Sequence, residues 1–228
     1  MRLNALKQEI KKLSDRPRAK FLQRFFKTGR GGYAAGDKFL GLRVPDQRIL
    51  ARKYKDLDFT GIKKLLLSPF HEERLIGLLI LTYKYPSNPK KVFSFYRANT
   101  SYVNNWDLVD SSAHKIVGEY LLDKKPALLY KFAKSKNFWK RRIAMVATYQ
   151  FIRNNKYKET IKVAEMLLGD KHDLIHKAVG WMLREMGKRN EKILLRFLDK
   201  YYRTMPRTAL RYAIERLSSR KRRQYLGK

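Results

Sequence analysis

Cysteine is absent from this 228-residue chain. That excludes disulfides, thiolate metal sites and a cysteine nucleophile, and it fits a reducing compartment without requiring one. Glycine (12) and proline (7) are scarce, and most of the prolines stand where a helix would begin. Many short strands joined by tight turns are therefore disfavoured. Long apolar runs are missing too. The stretch from Leu75 to Thr82 falls well short of the roughly 20 residues of a membrane span and is soon followed by Lys84. The opening Met1-Arg2-Leu3-Asn4-Ala5-Leu6-Lys7 lacks the apolar core of a signal peptide. A cytoplasmic protein with no membrane association is expected.

Acidic residues are the other shortage: 20 Asp and Glu stand against 53 Lys and Arg, a formal net charge of +33. A compact domain with that charge repels itself, so the excess points to a polyanionic partner, with nucleic acid ahead of an anionic membrane surface. What is plentiful is core material. Hydrophobic residues make up 44% and aromatics 13%, which is normal for a globular chain and too rich for a disordered one.

Helical spacing runs through the whole sequence. Residues 2–28 read as two helices broken at Arg16-Pro17, with Leu3, Leu6, Ile10 and Leu13 on one stripe. The glycine-rich segment from Lys27 to Gly36 has no Gly-Lys-Ser/Thr and so is not a phosphate loop of the Walker type. It reads either as a flexible connector or as a close approach of backbone and Arg30 to phosphates, and the connector is the favoured reading. Helices are predicted over 45–54, opened by Pro45, and over 56–67, 125–134, 157–168 and 191–202. Longer helices share a charged start and an apolar centre. They begin near Glu73, Asp110, Arg141, His176 and Arg207, which stand 37, 31, 35 and 31 residues apart. A drifting period of this size is what stacked helix pairs produce. The expected class is all-α: one domain over residues 1–228, a solenoid of HEAT-like repeats whose concave face would offer a long basic binding surface. The tail from Ser218 to Lys228 has five cations and no acid. It reads either as a phosphate contact or as a solvated end.

Two clusters stand out. In Asn104-Asn105-Trp106-Asp107-Leu108-Val109-Asp110, Asn104 or Asn105 can cap a helix, and Asp107 suits the positive end of its dipole. That leaves Asp110 unexplained. It lies one turn past Trp106, and both fall to one side of the apolar stripe Val109, Ala113, Ile116 and Tyr120, as does His114. A carboxylate beside an indole in so basic a chain is a candidate for chemistry. A pairing of Asp110 with an arginine of the next repeat accounts for it equally well. In the helix from Ala178 to Lys188, Val179, Met182, Leu183 and Met186 form the apolar stripe. Lys177, Trp181, Arg184 and Lys188 recur on a largely opposite face, where a tryptophan among cations suits a sugar or base flanked by phosphates. Arg141 and Arg142 open another long helix, and spacing alone does not decide which of them faces the partner. His172 and His176 are one turn apart but lack a third ligand, and His71-Glu72-Glu73-Arg74 does not complete a His-Glu-x-x-His pattern. No metal site or cofactor is expected.

In order along the chain, Lys27-Thr28-Gly29, Gly41-Leu42-Arg43-Val44-Pro45, His71-Glu72-Glu73-Arg74, Asn105 to Asp110, Trp139 to Ala144, His176 to Glu185 and Met205-Pro206-Arg207-Thr208 together resemble the AlkD-like DNA alkylation repair glycosylases. These are HEAT-like repeat proteins. The resemblance covers nearly the whole sequence. It implies that Asp110 is the catalytic carboxylate, that Trp106 and Trp181 are the two cleft tryptophans, and that the DNA-contacting arginine falls on the Arg141–Arg142 pair, with the Ile-Ala that follows favouring Arg142. A tyrosine near the cleft corresponds to Tyr33. It further implies excision of 3- and 7-alkylated purines from double-stranded DNA without rotation of the base into a pocket, by a monomer that rests on the nucleoid when bound. One competing reading is a repeat protein that binds damaged or branched DNA without excising anything; retention of Asp110, Trp106 and Trp181 argues against it. The other is a scaffold for acidic protein or RNA, and no feature of the chain favours that.

Overall fold

A computed structural model describes residues 2–227; Met1 and Lys228, which belong to the two terminal segments read above, lie outside them. Helix accounts for 71% and no strand is present among the described residues, the one β-type contact being an isolated bridge from Lys38 to Phe70. The expected all-α class of helical repeats is what the chain adopts. Its internal contacts group it into two compact units, one ending at Ser112 and one starting at Ala113.

The first unit runs through α1 (Arg2–Lys12), α2 (Arg16–Phe25), α3 (Val44–Lys53), α4 (Phe59–Leu66), α5 (His71–Lys84), α6 (Pro89–Ala98) and α7 (from Trp106). The break between α1 and α2 falls at 13–15, ahead of the predicted Arg16-Pro17. Asp15 caps α2 by accepting from the Arg18 N–H at 2.9 Å, and Pro17 sits in the first turn, where a missing N–H costs nothing. Helix α4 starts three residues later than spacing predicts because Asp58 is its cap, accepting from Gly61 N–H at 2.6 Å. Helix α5 is the centre of the unit. Every residue from His71 to Leu81 is buried, and α3, α4 and α6 pack against it. Between α2 and α3, Gly41 packs against the α1–α2 turn with φ +89°, and a side chain there would meet the Asp15 carbonyl at 2.1 Å, so only glycine fits.

The second unit begins with a π turn (His114–Gly118) and α8 (Glu119–Leu121). It continues through α9 (Ala127–Ala133), α10 (Phe138–Arg153), α11 (Lys158–Leu167), α12 (Asp173–Arg189), α13 (Glu191–Tyr201), α14 (Arg207–Ala213) and α15 (Ser219–Leu226). The π turn, α10, α12 and α14 pack in that order, while α9 lies on α10, and α11 and α13 on α12. This is the arrangement of stacked helix pairs that the drifting period predicts. The basic tail is not a solvated end. Tyr225 of α15 is 3% exposed and its hydroxyl donates to Asp199 Oδ1 at 2.7 Å, so the tail is a docked helix.

The α12–α14 crossing depends on Gly180, where a Cβ would stand 2.5 Å from the Ala209 carbonyl oxygen and 2.4 Å from Tyr212 Cβ. Alanine favours a helix by about 1 kcal/mol over glycine, but the backbones must separate to admit it. Overpacking of that kind costs about 1–3 kcal/mol. Gly180→Ala is expected to lower the urea midpoint. An unchanged or higher midpoint would show that the crossing adjusts freely.

Candidate functional site

In the first unit, α7 (Trp106–Ala113) presents Trp106 and Asp110. Asn105, fully buried, accepts from the Trp106 N–H through Oδ1 at 2.8 Å, so of the two candidate asparagines it is this one that ties down the helix start. The indole N–H of Trp106 donates to the Tyr33 hydroxyl at 3.2 Å. Its ring stacks on Phe26 (centroids 5.3 Å, 13°) and meets Phe25 edge-on at 6.3 Å. Phe26 is itself buried with Ala34 and Phe39. The glycine-rich segment is therefore no loose connector. Gly32 N–H donates to Gly29 O at 2.9 Å and Gly36 N–H to Thr28 O at 3.2 Å, Ala34 is 3% exposed, and Tyr33 reaches the indole. Tyr33, Phe26 and Phe25, which hold the ring of Trp106, stand 73 to 81 positions away.

Asp107 does more than face a helix dipole. Its Oδ2 lies 2.7 Å from His71 Nε2, while His71 Nδ1 is 3.5 Å from Asp37 Oδ2 and Arg74 pairs with the same Asp37 oxygen at 2.6 Å. The imidazole is 2% exposed and stacks on Phe39 at 4.7 Å. Glu72, beside it, accepts from the N–H groups of Leu40 and Gly41. This buried network locks the start of α5 to the start of α7. The helical pattern of the sequence offered only a weak sign of it, four consecutive ionisable residues, His71 to Arg74, at the start of a largely apolar helix. Burial opposes charge on His71, but the Asp107 carboxylate and hydrogen bonds to Asp107 and Asp37 outweigh it and raise its pKa from 6.5 to about 9.

A folded-state pKa above the unfolded one means that the native protein holds the extra proton. The stabilisation is complete below about pH 6.5 and is lost as pH rises through about 9. Wild type is expected to lose up to about 3 kcal/mol more over that window than His71→Gln, since each pKa unit is worth about 1.4 kcal/mol. Parallel pH profiles of the two unfolding midpoints would refute the charged histidine.

Asp110 is partly exposed, one turn past Trp106, while Val109 and Ala113 are fully buried. The two residues share the side of α7 that the spacing predicts. Beneath them, fully buried Tyr96 bonds to Ser112 Oγ at 3.1 Å, and Ser112 donates to Leu108 O at 2.6 Å. Burial raises the Tyr96 pKa, and the negative charge of Asp110 raises it further.

In the second unit, Trp181 is half-buried on α12 and lies tilted against Tyr149 at 6.3 Å. Tyr149 in turn meets His114 edge-on at 5.4 Å. Tyr149 escaped the sequence reading. Its signal is the spacing of seven from Arg142, which puts both on one face of α10. Val179, Met182, Leu183 and Met186 are buried as the stripe predicts. The cations opposite carry acidic partners: Lys177 pairs with Asp173 at 2.8 Å, Lys188 with Glu185 at 2.7 Å, and Arg184 with Glu185 at 3.5 Å and with Glu215. The arginine pair divides. Arg141 clamps Asp170 through Nε and Nη2 (2.5 and 3.1 Å) and donates Nη1 to the carbonyls of Ser135 and Lys136. Arg142 is 5% exposed and donates Nη1 to the Leu174 carbonyl.

Among the described residues no group of three His, Asp or Glu is placed to hold a metal. His172 stacks on Phe138 at 4.0 Å and caps α12, while His176 contacts the Asp170 carbonyl. No described helix is long and apolar enough to cross a membrane.

A family model described as DNA alkylation repair enzyme matches residues 6–217. Among solved structures, the fold is similar to a predicted DNA alkylation repair enzyme from Enterococcus faecalis, with TM-score 0.76 and 17% identity over 90% of this chain and 97% of that one. It is also similar to AlkD2 from Streptococcus mutans, with TM-score 0.59 and 16% identity over 94% and 100%. No curated protein matches.

Proposed function

Since the chain belongs to the DNA alkylation repair enzyme family, matched from residue 6 to residue 217, we propose that it is a DNA glycosylase that hydrolyses the N-glycosidic bond of 3- and 7-alkylated purines in duplex DNA. The observation that carries this reading is Asp110. A partly exposed carboxylate, in a chain of +33, stands one turn from a tryptophan whose ring is held by Tyr33 and Phe26.

Alkylation at N3 or N7 makes the purine cationic, so it departs as a neutral base when the electrons of the C1′–N9 bond return to it. No acid is needed for that step. The positive charge that develops on the deoxyribose is the part that benefits from a protein group. A fixed carboxylate stabilises it and orients the water that adds to C1′, whose proton passes to the carboxylate or to solvent. The product is an abasic site and a free alkylpurine. The face of Trp106 favours a cationic sugar or lesion by about 0.5–2 kcal/mol. Because Asn105 and Tyr33 anchor it, the ring would not need to reorganise on binding. The resemblance assigns Trp181 to a deoxyribose and Arg142 to a phosphate. Arg141 is already committed to Asp170, which leaves it to brace α10. Lys177, Arg184 and Lys188 would contact phosphates only by sharing or leaving their acidic partners. None of these contacts reads sequence.

The test is release of 7-methylguanine and 3-methyladenine from methylated duplex DNA. Release by the wild-type protein supports the glycosylase. Tight binding to that DNA with no release would replace it by a DNA-binding repeat protein without excision activity.

A further inference from the structure

We propose that α2 carries a second contact of different chemistry, in which Phe21 and Phe25 pack on nucleobases that are unpaired or have left the stack. It rests on the reading of this protein as DNA-binding. The apolar stripe of α2 is Ala19, Leu22 and Phe26, which face the aromatic cluster under Trp106. Phe21 and Phe25 lie off that stripe, are 56% and 54% exposed, and hold their rings nearly parallel, 6.1 Å apart at 19°. Single exposed phenylalanines need no explanation. Two of them stacked together on an otherwise polar helix form a patch. The patch is continuous with the candidate site, because Phe25 also meets Trp106 edge-on at 6.3 Å.

Charge identifies the occupant. No acidic residue stands between Asp15 and Asp37. Arg16, Arg18, Lys20 and Arg24 on the helix and Lys27 and Arg30 after it are exposed and enter no ion pair among the described residues. Rings interleaved with unpaired cations are how proteins hold single strands, the cations on phosphates and the rings on base faces. A second copy of this chain would set six cations against six, and an apolar protein partner would leave them all without use. In an intact duplex the base faces are covered by their neighbours. The patch therefore selects DNA in which a base is already loose, beside the tryptophan of the candidate site.

The experiment compares wild type, Phe21→Ala and Phe21→Trp for affinity to a fully paired duplex, a duplex with a three-base bulge and a single-stranded oligonucleotide, each at two salt concentrations. Phe21 contacts Phe25 and is otherwise exposed, so its loss should leave the fold intact. The expected result is a loss of roughly 5- to 150-fold for Phe21→Ala on the bulge and the single strand, matching about 1–3 kcal/mol per stacked base. Affinity for the paired duplex should stay within about twofold, the salt slope should not change, and Phe21→Trp should retain binding. Equal affinity of wild type and Phe21→Ala for all three DNAs would overturn this inference alone. So would a uniform loss with an altered slope, or a change in oligomeric state by sedimentation. Failure of the wild-type protein to bind any of the three would remove the DNA-binding reading itself.

Discussion

Asp110→Asn should bind methylated duplex within a few-fold of wild type and release 7-methylguanine about 10²–10³-fold more slowly. Asparagine preserves the volume and most of the hydrogen-bonding capacity of the carboxylate, so the fold and the phosphate contacts are left alone. It removes the unit negative charge. A carboxylate about 4 Å from a developing positive charge, at the effective dielectric of a partly buried site, is worth about 4 kcal/mol, or about three decades of rate. That agrees with the loss seen when one preorganised electrostatic contact is removed from other enzymes. The spontaneous departure of a cationic purine sets a floor, so some release will persist. The check is single-turnover release beside an unfolding curve for each protein. Excision at the native rate by a folded variant would show that Asp110 takes no part in the reaction.

The second large effect concerns salt. With +33 net charge and no sequence-reading contact proposed, affinity for undamaged duplex should come mainly from counterion release. If six to ten phosphates are neutralised, Kd should rise by about 10³–10⁵ between 50 and 200 mM salt. A small part of the basic surface is already engaged: Lys53 with Glu9, Lys156 with Asp123, Lys177 with Asp173 and Lys221 with Glu191. Cations held by acids contribute less to the slope than free ones. A slope near six rather than ten would fit that division of labour. A flat response would undo the phosphate contacts altogether, whatever the excision assay shows.

Helical period and charge are properties of the local chain, and what depends on them was legible in the residues. The all-α class, the succession of helix pairs and the buried stripe of α12 all follow from which residues fall every third or fourth position. The placement of Trp106 and Asp110 on one side of α7 follows in the same way, and the polyanionic partner follows from counting. The neighbours of those residues were not legible. Asp107 looked sufficient as a helix-start acid until His71, 36 positions earlier, was found against it. The glycine-rich segment read as slack until Tyr33 reached Trp106 across 73 positions. Arg141 and Arg142 were equivalent by spacing, yet Asp170 takes Arg141 while Arg142 is buried against the Leu174 carbonyl. The basic tail, which read either as a phosphate contact or as a solvated end, is held by Tyr225 on Asp199. Periodicity reports which face of a helix is apolar, because that face must leave water wherever the helix goes. It carries no information on which partner 30 or 70 residues away arrives opposite a given side chain. That choice is made by packing, where burial obliges every charge and donor to find its complement.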